Sequence, residues 1–390
     1  MKNELITWYS VCNFFVNILS AFIVTACADN VYESGLLILL YLFCALFLQL
    51  PIGICADKKN KNLMFSISGV VIILAALLFA MYGDLEESHI FFTTSLVGIG
   101  NATFYVGAGI DVLNVSDKNA ILPSIFISTG VIGLFLGQRA VEIVDTENSL
   151  ILYGMIFIGI LSVVLLAAQR ELRQGLEITN SEYKFKPDIK YEEGLLIIVI
   201  LSVVVTGFVG RYFIAEIVES GTMADIICAF LGMLIGGILG DKIGFRRVIL
   251  ISLLGSVVLF IYSVISPVFG TIGLLLFCMS IPTMLMILVN TFYEAKGQML
   301  GVVMAALFLG FIICEAIYVN IGWYDVFLLA SPVVILITLL RGIKLYNMNQ
   351  ERLEKLEVEL EQDNEDNQPD IDKETIVQIE NEINESFSKE

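Results

Sequence analysis

Histidine and charge are what this chain lacks. Its single histidine, His89, has no obvious metal partners. The seven cysteines, Cys12, Cys27, Cys44, Cys55, Cys228, Cys278 and Cys314, fall almost entirely inside apolar runs without metal-ligand spacing. They read as small buried hydrophobes. No P-loop occurs, and no nucleophile–base pair stands in the apolar runs, so neither ATP hydrolysis nor membrane-embedded enzyme chemistry is expected, and no cofactor is implied. Charged residues make up 16% of the 390 residues, against about 25% in an ordinary soluble domain. The apolar share is 57%, more than a soluble fold of this length could hide. The expected solvent is lipid.

The net charge of −18 is mostly the work of one segment, because residues 345–390 hold 15 acidic and 4 basic residues. That acidic segment argues against nucleic acid as a partner, which would call for a basic surface. Its start, "NQERLEKLEVELEQ", has Leu353, Leu356 and Leu360 at helical spacing and Glu351 four residues before Lys355, a short amphipathic helix. From Asp363 the composition reads as disordered.

A bilayer-crossing helix needs about 20 apolar residues. Twelve stretches qualify, near 6–28, 35–55, 63–82, 89–110, 120–138, 149–168, 194–215, 223–240, 247–265, 268–290, 298–320 and 324–342. "VTAC" at 24–27 resembles a lipoprotein cleavage box, but the long apolar run before it reads as a first span. The one long connection divides the chain into residues 1–168, a loop 169–193, residues 194–344 and the tail 345–390. Basic loops stay cytoplasmic. With both termini inside, 20 of the 22 basic residues are cytoplasmic, the exceptions being Arg139 and Arg211, while the outer loops carry Asp29, Glu33, Asp84, Glu86, Glu87, Asp145 and Glu147. The expectation is an all-α integral protein of the plasma (inner) membrane, two pseudo-symmetric six-helix bundles with an acidic cytoplasmic tail, and a monomer.

Two loops repeat. "GGILGDKIGFRRVIL" at 236–250 holds Asp241, Lys242, Arg246 and Arg247 between the eighth and ninth stretches. "GICADKKNKNLM" at 53–64 occupies the equivalent place between the second and third, with Asp57, Lys58 and Lys61. Aligned, Gly53 meets Gly237, Asp57 meets Asp241 and Asn60 meets Gly244. Asn is the mildest substitute for Gly where the backbone turns left-handed. Asp111 and Glu294, at the inner ends of the fourth and tenth stretches, form a second pair. Internal repeats of this kind mark secondary transporters.

The second loop resembles the major facilitator superfamily signature, Gly-x-x-x-Asp-(Arg/Lys)-x-Gly-x-(Arg/Lys)-(Arg/Lys), in its expected place, and the likeness extends over about residues 5–345. The resemblance implies alternating access by two rocking bundles, with the loop charges closing the cytoplasmic side. Asp57 and Asp241 would meet helix N-termini, Lys58 or Lys61 would reach Asp111, and Lys242 or Arg246 would reach Glu294. The alternative is that these charges only set topology. The stretches "GIGNATFYVGAG" and "STGVIGLFLG" faintly resemble the fosmidomycin-resistance branch, although Tyr105 stands where a histidine is expected.

The resemblance also implies a cavity lined by the first, fourth, seventh and tenth helices. Its polar candidates are Asn13 and Asn17, Asn101 and Tyr105, Thr206 and Arg211, and Thr283 and Asn290. Amides in hydrocarbon are costly unless paired or wet, so each either faces a wet cavity or bonds between helices. Arg211 could grip an anionic group or pair with Glu216 or Glu315 to close the outer side. Glu315, a carboxylate inside a span, is the candidate for proton coupling. The fourth helix has Thr94 where proton-driven drug exporters carry an arginine, and the fifth lacks the antiporter proline, so Gly130, Gly133 and Gly137 read as close-packing positions. Two functions follow: a secondary transporter of a small organic solute, drug-like or anionic, by uptake or efflux, with protons as candidate coupling ions; or a non-transporting scaffold or sensor on the same fold, signalling through its tail.

Overall fold

The computed structural model describes residues 1–31, 34–82, 86–143, 149–183, 185, 192–220, 223–263, 265–320, 330, 333–345 and 347–348, with backbone alone at 82, 149–150, 192–193, 210–220 and 317–320. The amphipathic tail segment, the side chain of Arg211 and the outer acids Glu33, Asp84, Asp145 and Glu147 lie outside that description.

The described chain is helical, without a strand. Its helices are α1 (Lys2–Ala28), α2 (Ser34–Lys59), α3 (Asn62–Tyr82), α4 (Glu87–Ser116), α5 (Ile121–Ile143), α6 (Ser149–Gly175), α7 (Glu192–Ser220), α8 (Met223–Ile243), α9 (Phe245–Tyr262), α10 (Pro267–Thr291), α11 (Lys296–Asn320) and α12 (333–345). Among the described residues, 10 helices are long and apolar enough to cross a membrane, and 194–209 of α7 is a shorter apolar run. Several overrun their expected stretches. α4 continues to Ser116 and α6 to Gly175, because a helix need not stop where its apolar window does. Two are interrupted: α2 by a π turn at Phe43–Phe47 and α10 at Met279.

The packing has a two-fold pattern. α1 lies on α5, and α7 on α11; α3 lies on α4, and α9 on α10. Between these groups α2 packs on α11, and α8 on α5. Small residues set these approaches. A Cβ at Gly133 or Gly137 would collide with the backbone of α1 at Phe14 and Ile18, as the close-packing reading of α5 expects. A Cβ at Gly53 would strike the Gly297 carbonyl of α11, and one at Gly237 would strike Ser124 of α5. Gly53 and Gly237, aligned in the two repeated loops, therefore occupy equivalent crossings.

Both loops turn as their sequences require. Asn60 ends α2 with φ 49° and ψ 41°, the left-handed conformation, and Gly244 precedes α9 at φ 88°. These two loops, the α4–α5 turn and the short 3₁₀ turn Tyr293–Ala295 gather at one end of the bundle. That end carries Lys58, Lys59, Lys61, Lys118, Lys242, Arg246 and Arg247 and is called the basic end below.

Candidate functional site at the basic end

An α-helix leaves its first backbone N–H groups without intrahelical acceptors, and its N-terminus carries partial positive charge. At the start of α11 those groups are met by Asp57. Its Oδ1 accepts from the Gly297 N–H at 2.9 Å and its Oδ2 from the Gln298 N–H at 2.8 Å. At the start of α5 they are met by Asp241, which accepts from the N–H groups of Ala120 at 2.7 Å and Ile121 at 2.9 Å. Each repeated loop thus holds, by its aspartate, the fifth helix of the other half of the sequence. The two caps differ in environment: Asp57 is 6% exposed, whereas Asp241 is open to solvent.

Two further contacts cross the same interface. Lys296, 4% exposed, lies over the Tyr293 ring at 3.5 Å from its centroid and donates to Asn114 Oδ1 at 3.0 Å and to the Leu113 carbonyl at 3.4 Å. That carbonyl lies in the last turn of α4, where a cation is favoured. Asn290 of α10 donates to the Lys118 carbonyl at 3.1 Å. Lys296 was missed from the sequence, although a lone lysine opening an apolar helix beside Glu294 was a visible signal.

The expected partner of Asp111 needs correction. Asp111 is fully buried, and its cation is Arg173 of α6, not Lys58 or Lys61. Arg173 Nε lies 2.6 Å from Oδ2, and Nη2 donates to Oδ1 at 3.0 Å. Tyr9 donates to Oδ2 at 2.5 Å and Asn62 to Oδ1 at 2.8 Å. The physical reason is depth. A fully buried carboxylate must be paired and fully hydrogen-bonded, while Lys58 and Lys61 point outward and are exposed. Lys58 instead lies over the Tyr183 ring at 5.1 Å. The expected pairing of Glu294 with Lys242 or Arg246 is also absent among the described residues; Glu294 sits exposed in the 3₁₀ turn, and Lys242, Arg246 and Arg247 are exposed on their own loop.

The cavity candidates are placed as follows. Asn13, fully buried, donates to the Phe126 carbonyl at 2.7 Å, and Asn17 donates to the Asn13 carbonyl at 2.7 Å and to its Oδ1 at 2.9 Å. Both amides sit at the α1–α5 contact, beside Gly130. Asn101 reaches Ser20 Oγ at 3.2 Å and Tyr41 Oη at 3.4 Å. Thr206 donates to the Ser202 carbonyl at 2.8 Å and Thr283 to the Ser280 carbonyl at 2.5 Å. These are bonds within or between helices. Tyr105 packs on Phe126 with ring centroids 5.3 Å apart and borders a small void shared with Leu285 of α10 and Leu300 of α11. Glu315 is half-buried in α11. Arg139 makes a two-oxygen ion pair with Glu142 at 2.7 Å on the exposed side of α5. A larger cavity of about 240 Å³ lies at the opposite end, lined by residues of α1, α3, α4 and α6 including Cys27, His89 and Thr93. Among the described residues, no group of three His, Cys, Asp or Glu could hold a metal ion.

Helices that pack in this two-fold pattern, with the second helix of each half on the fifth helix of the other, form the major facilitator fold. Solved structures of the same fold agree over nearly the whole chain. The Escherichia coli fucose:proton symporter FucP superposes with a TM-score of 0.58 at 12% identity, covering 87% of this chain and 99% of that one. A structure of FucP described as a major facilitator superfamily transporter in the outward conformation gives 0.57 at 12% identity, covering 86% and 98%. No family model and no curated protein matches the sequence.

Proposed function

We propose that the chain is a secondary active transporter of the major facilitator type, working on a small organic solute by alternating access. In this reading twelve helices cross the membrane as two six-helix halves, the basic end faces the cytoplasm with both termini, and a solute gradient or proton gradient supplies the energy. The observation that carries the reading is the reciprocal capping: the Asp57 and Asp241 carboxylates hold α11 and α5 by four backbone hydrogen bonds. Hydrogen bonds to a charged group contribute about 1.5–3 kcal/mol each. Much of that is recovered when the freed carboxylates and N–H groups rehydrate, so the contact is strong enough to bias a two-state equilibrium and weak enough to open. Lys58, Lys61, Lys242, Arg246, Arg247 and Glu294 would modulate the same gate by their field at the rim.

The solute would bind between the halves, on the faces of α1, α4, α7 and α10, with Tyr105 and Arg211 as the leading side chains. Arg211 would take an anionic group, and Glu315 would carry the coupling proton. FucP is a fucose:proton symporter, and coupling to protons is proposed here by analogy with it. A thermal-shift screen of small organic compounds on the purified protein tests binding, since a ligand raises apparent stability by mass action. Arg211→Gln leaving affinity for an anionic hit unchanged would remove Arg211 from the site. Glu315→Gln is expected to abolish any response of flux to a pH gradient.

A further inference from the structure

The two aspartate caps are equivalent by repeat but not by burial. After α6 the chain reverses at Glu177, whose φ is 50°, with Ile178 N–H donating back to the Arg173 carbonyl at 3.2 Å. It then crosses the basic end beside Asp57. The Asn180 N–H donates to Asn60 Oδ1 at 2.9 Å, and Asn180 Nδ2 donates to the Ala56 carbonyl and to Asn62 Oδ1, both at 3.1 Å. Asn180 Oδ1 accepts from Asn62 at 2.7 Å and from Asn114 at 3.0 Å. One side chain therefore ties the α2–α3 loop to the end of α4.

Three residues on, the attachment changes sides. Tyr183 Oη donates to Gln298 Oε1 at 2.7 Å on α11, beneath Lys58. Partial burial, and then the Asp57 carboxylate, push the Tyr183 phenol above its ordinary value. Phe185 packs on Phe292, with centroids 5.5 Å apart, at the end of α10. No corresponding segment crosses Asp241 among the described residues, and Asp241 is exposed.

We propose that residues 178–183 and Phe185 form a clasp, fastened to the α2–α3 loop through Asn180 and to α10 and α11 through Phe185 and Tyr183, that shields the Asp57 cap from water and makes it the stronger of the two latches. The proposal rests on the reading that the basic end opens. Three extended residues span at most about 11 Å, so Asn180 and Tyr183 cannot both keep their partners when the halves separate. Opening releases one of them and wets Asp57 at the same time. The central connection thereby favours the closed basic end and sets which latch yields last.

The test is the distance across the basic end, measured by double electron–electron resonance in lipid nanodiscs. Nitroxides go on Lys59→Cys and Lys344→Cys, with Cys55→Ser and Cys228→Ser removing the exposed and partly exposed native thiols; the remaining cysteines are buried. Tyr183→Phe, which deletes one hydroxyl, should raise the open-to-closed ratio about fivefold, as expected for one net hydrogen bond, and Asn180→Ala, which removes four side-chain hydrogen bonds, should raise it at least as much. Ser181→Ala, on the same segment, should leave it unchanged. The effect of Tyr183→Phe should shrink in an Asp57→Asn background and persist in an Asp241→Asn background. Equal effects in both backgrounds would overturn the shielding of Asp57. If Asp57→Asn shifts the ratio and the clasp variants do not, the gate stands and the clasp falls; if no variant shifts it, both fall.

Discussion

Asp57 and Gly297, 240 residues apart in the chain, are joined by a hydrogen bond of 2.9 Å across the contact of α2 with α11. The donor is a helix N-terminus and the acceptor an ionised side chain, so charge complements dipole. The mirror contact, Asp241 with Ala120, is 2.7 Å long but open to water. Water competes for an exposed carboxylate and screens it, so similar distances do not mean similar strengths. Asp57→Asn should therefore raise the open-to-closed ratio at the basic end by about five- to thirtyfold, or about 1–2 kcal/mol. Asp241→Asn should do so by no more than about fivefold. The same spin-labelled pair reads both, and a larger effect at Asp241 would refute the ranking.

Arg173 and Asp111 make a different kind of claim, about stability. Removing one partner of a buried pair costs about 3–5 kcal/mol, whereas replacing both costs far less. Arg173→Met should lower the thermal midpoint of the detergent-solubilised protein sharply. Asp111→Asn added to it should restore most of the loss. A double variant no better than the single one would show that the pair does not act as a unit.

The glycine crossings predict opposite signs for one substitution. In a helix Ala is favoured over Gly by about 0.5–1 kcal/mol. At Gly154 a Cβ meets nothing within 4 Å, so Gly154→Ala should leave the thermal midpoint unchanged or slightly higher. At Gly53 it strikes the Gly297 carbonyl. Gly53→Ala should thus push α2 from α11 and raise the open population at the basic end, read by the same distance measurement. Equal behaviour at the two sites would contradict the close approach.

Much of this architecture was legible before any coordinates. Apolar run length is a local property, which is why ten of the spans could be placed among the described residues, and the pairing of Asn60 with Gly244 foresaw positive φ at both positions. The loop signature pointed Asp57 and Asp241 at helix ends. What the sequence hid were choices among distant partners. Asp111 could have taken any of several cations, and only its depth in the bundle selects Arg173 over Lys58 and Lys61. The amides of Asn13, Asn17 and Asn101 left two readings open; in the structure Asn13 and Asn101 bond between helices, while Asn17 bonds back to Asn13 within α1. Asn180 and Tyr183 gave no periodic or motif signal, because an irregular segment is positioned by what it crosses.

The most direct measurement of the central claim is solute flux. A compound that stabilises the purified protein is offered, in labelled form, to proteoliposomes with and without an imposed pH gradient. Transport by alternating access predicts accumulation inside the vesicles, with Asp57→Asn plus Asp241→Asn changing turnover while binding affinity stays within about twofold. A compound that binds wild-type protein with the same affinity yet never enters the vesicles would contradict transport and leave the fold as a membrane scaffold or sensor.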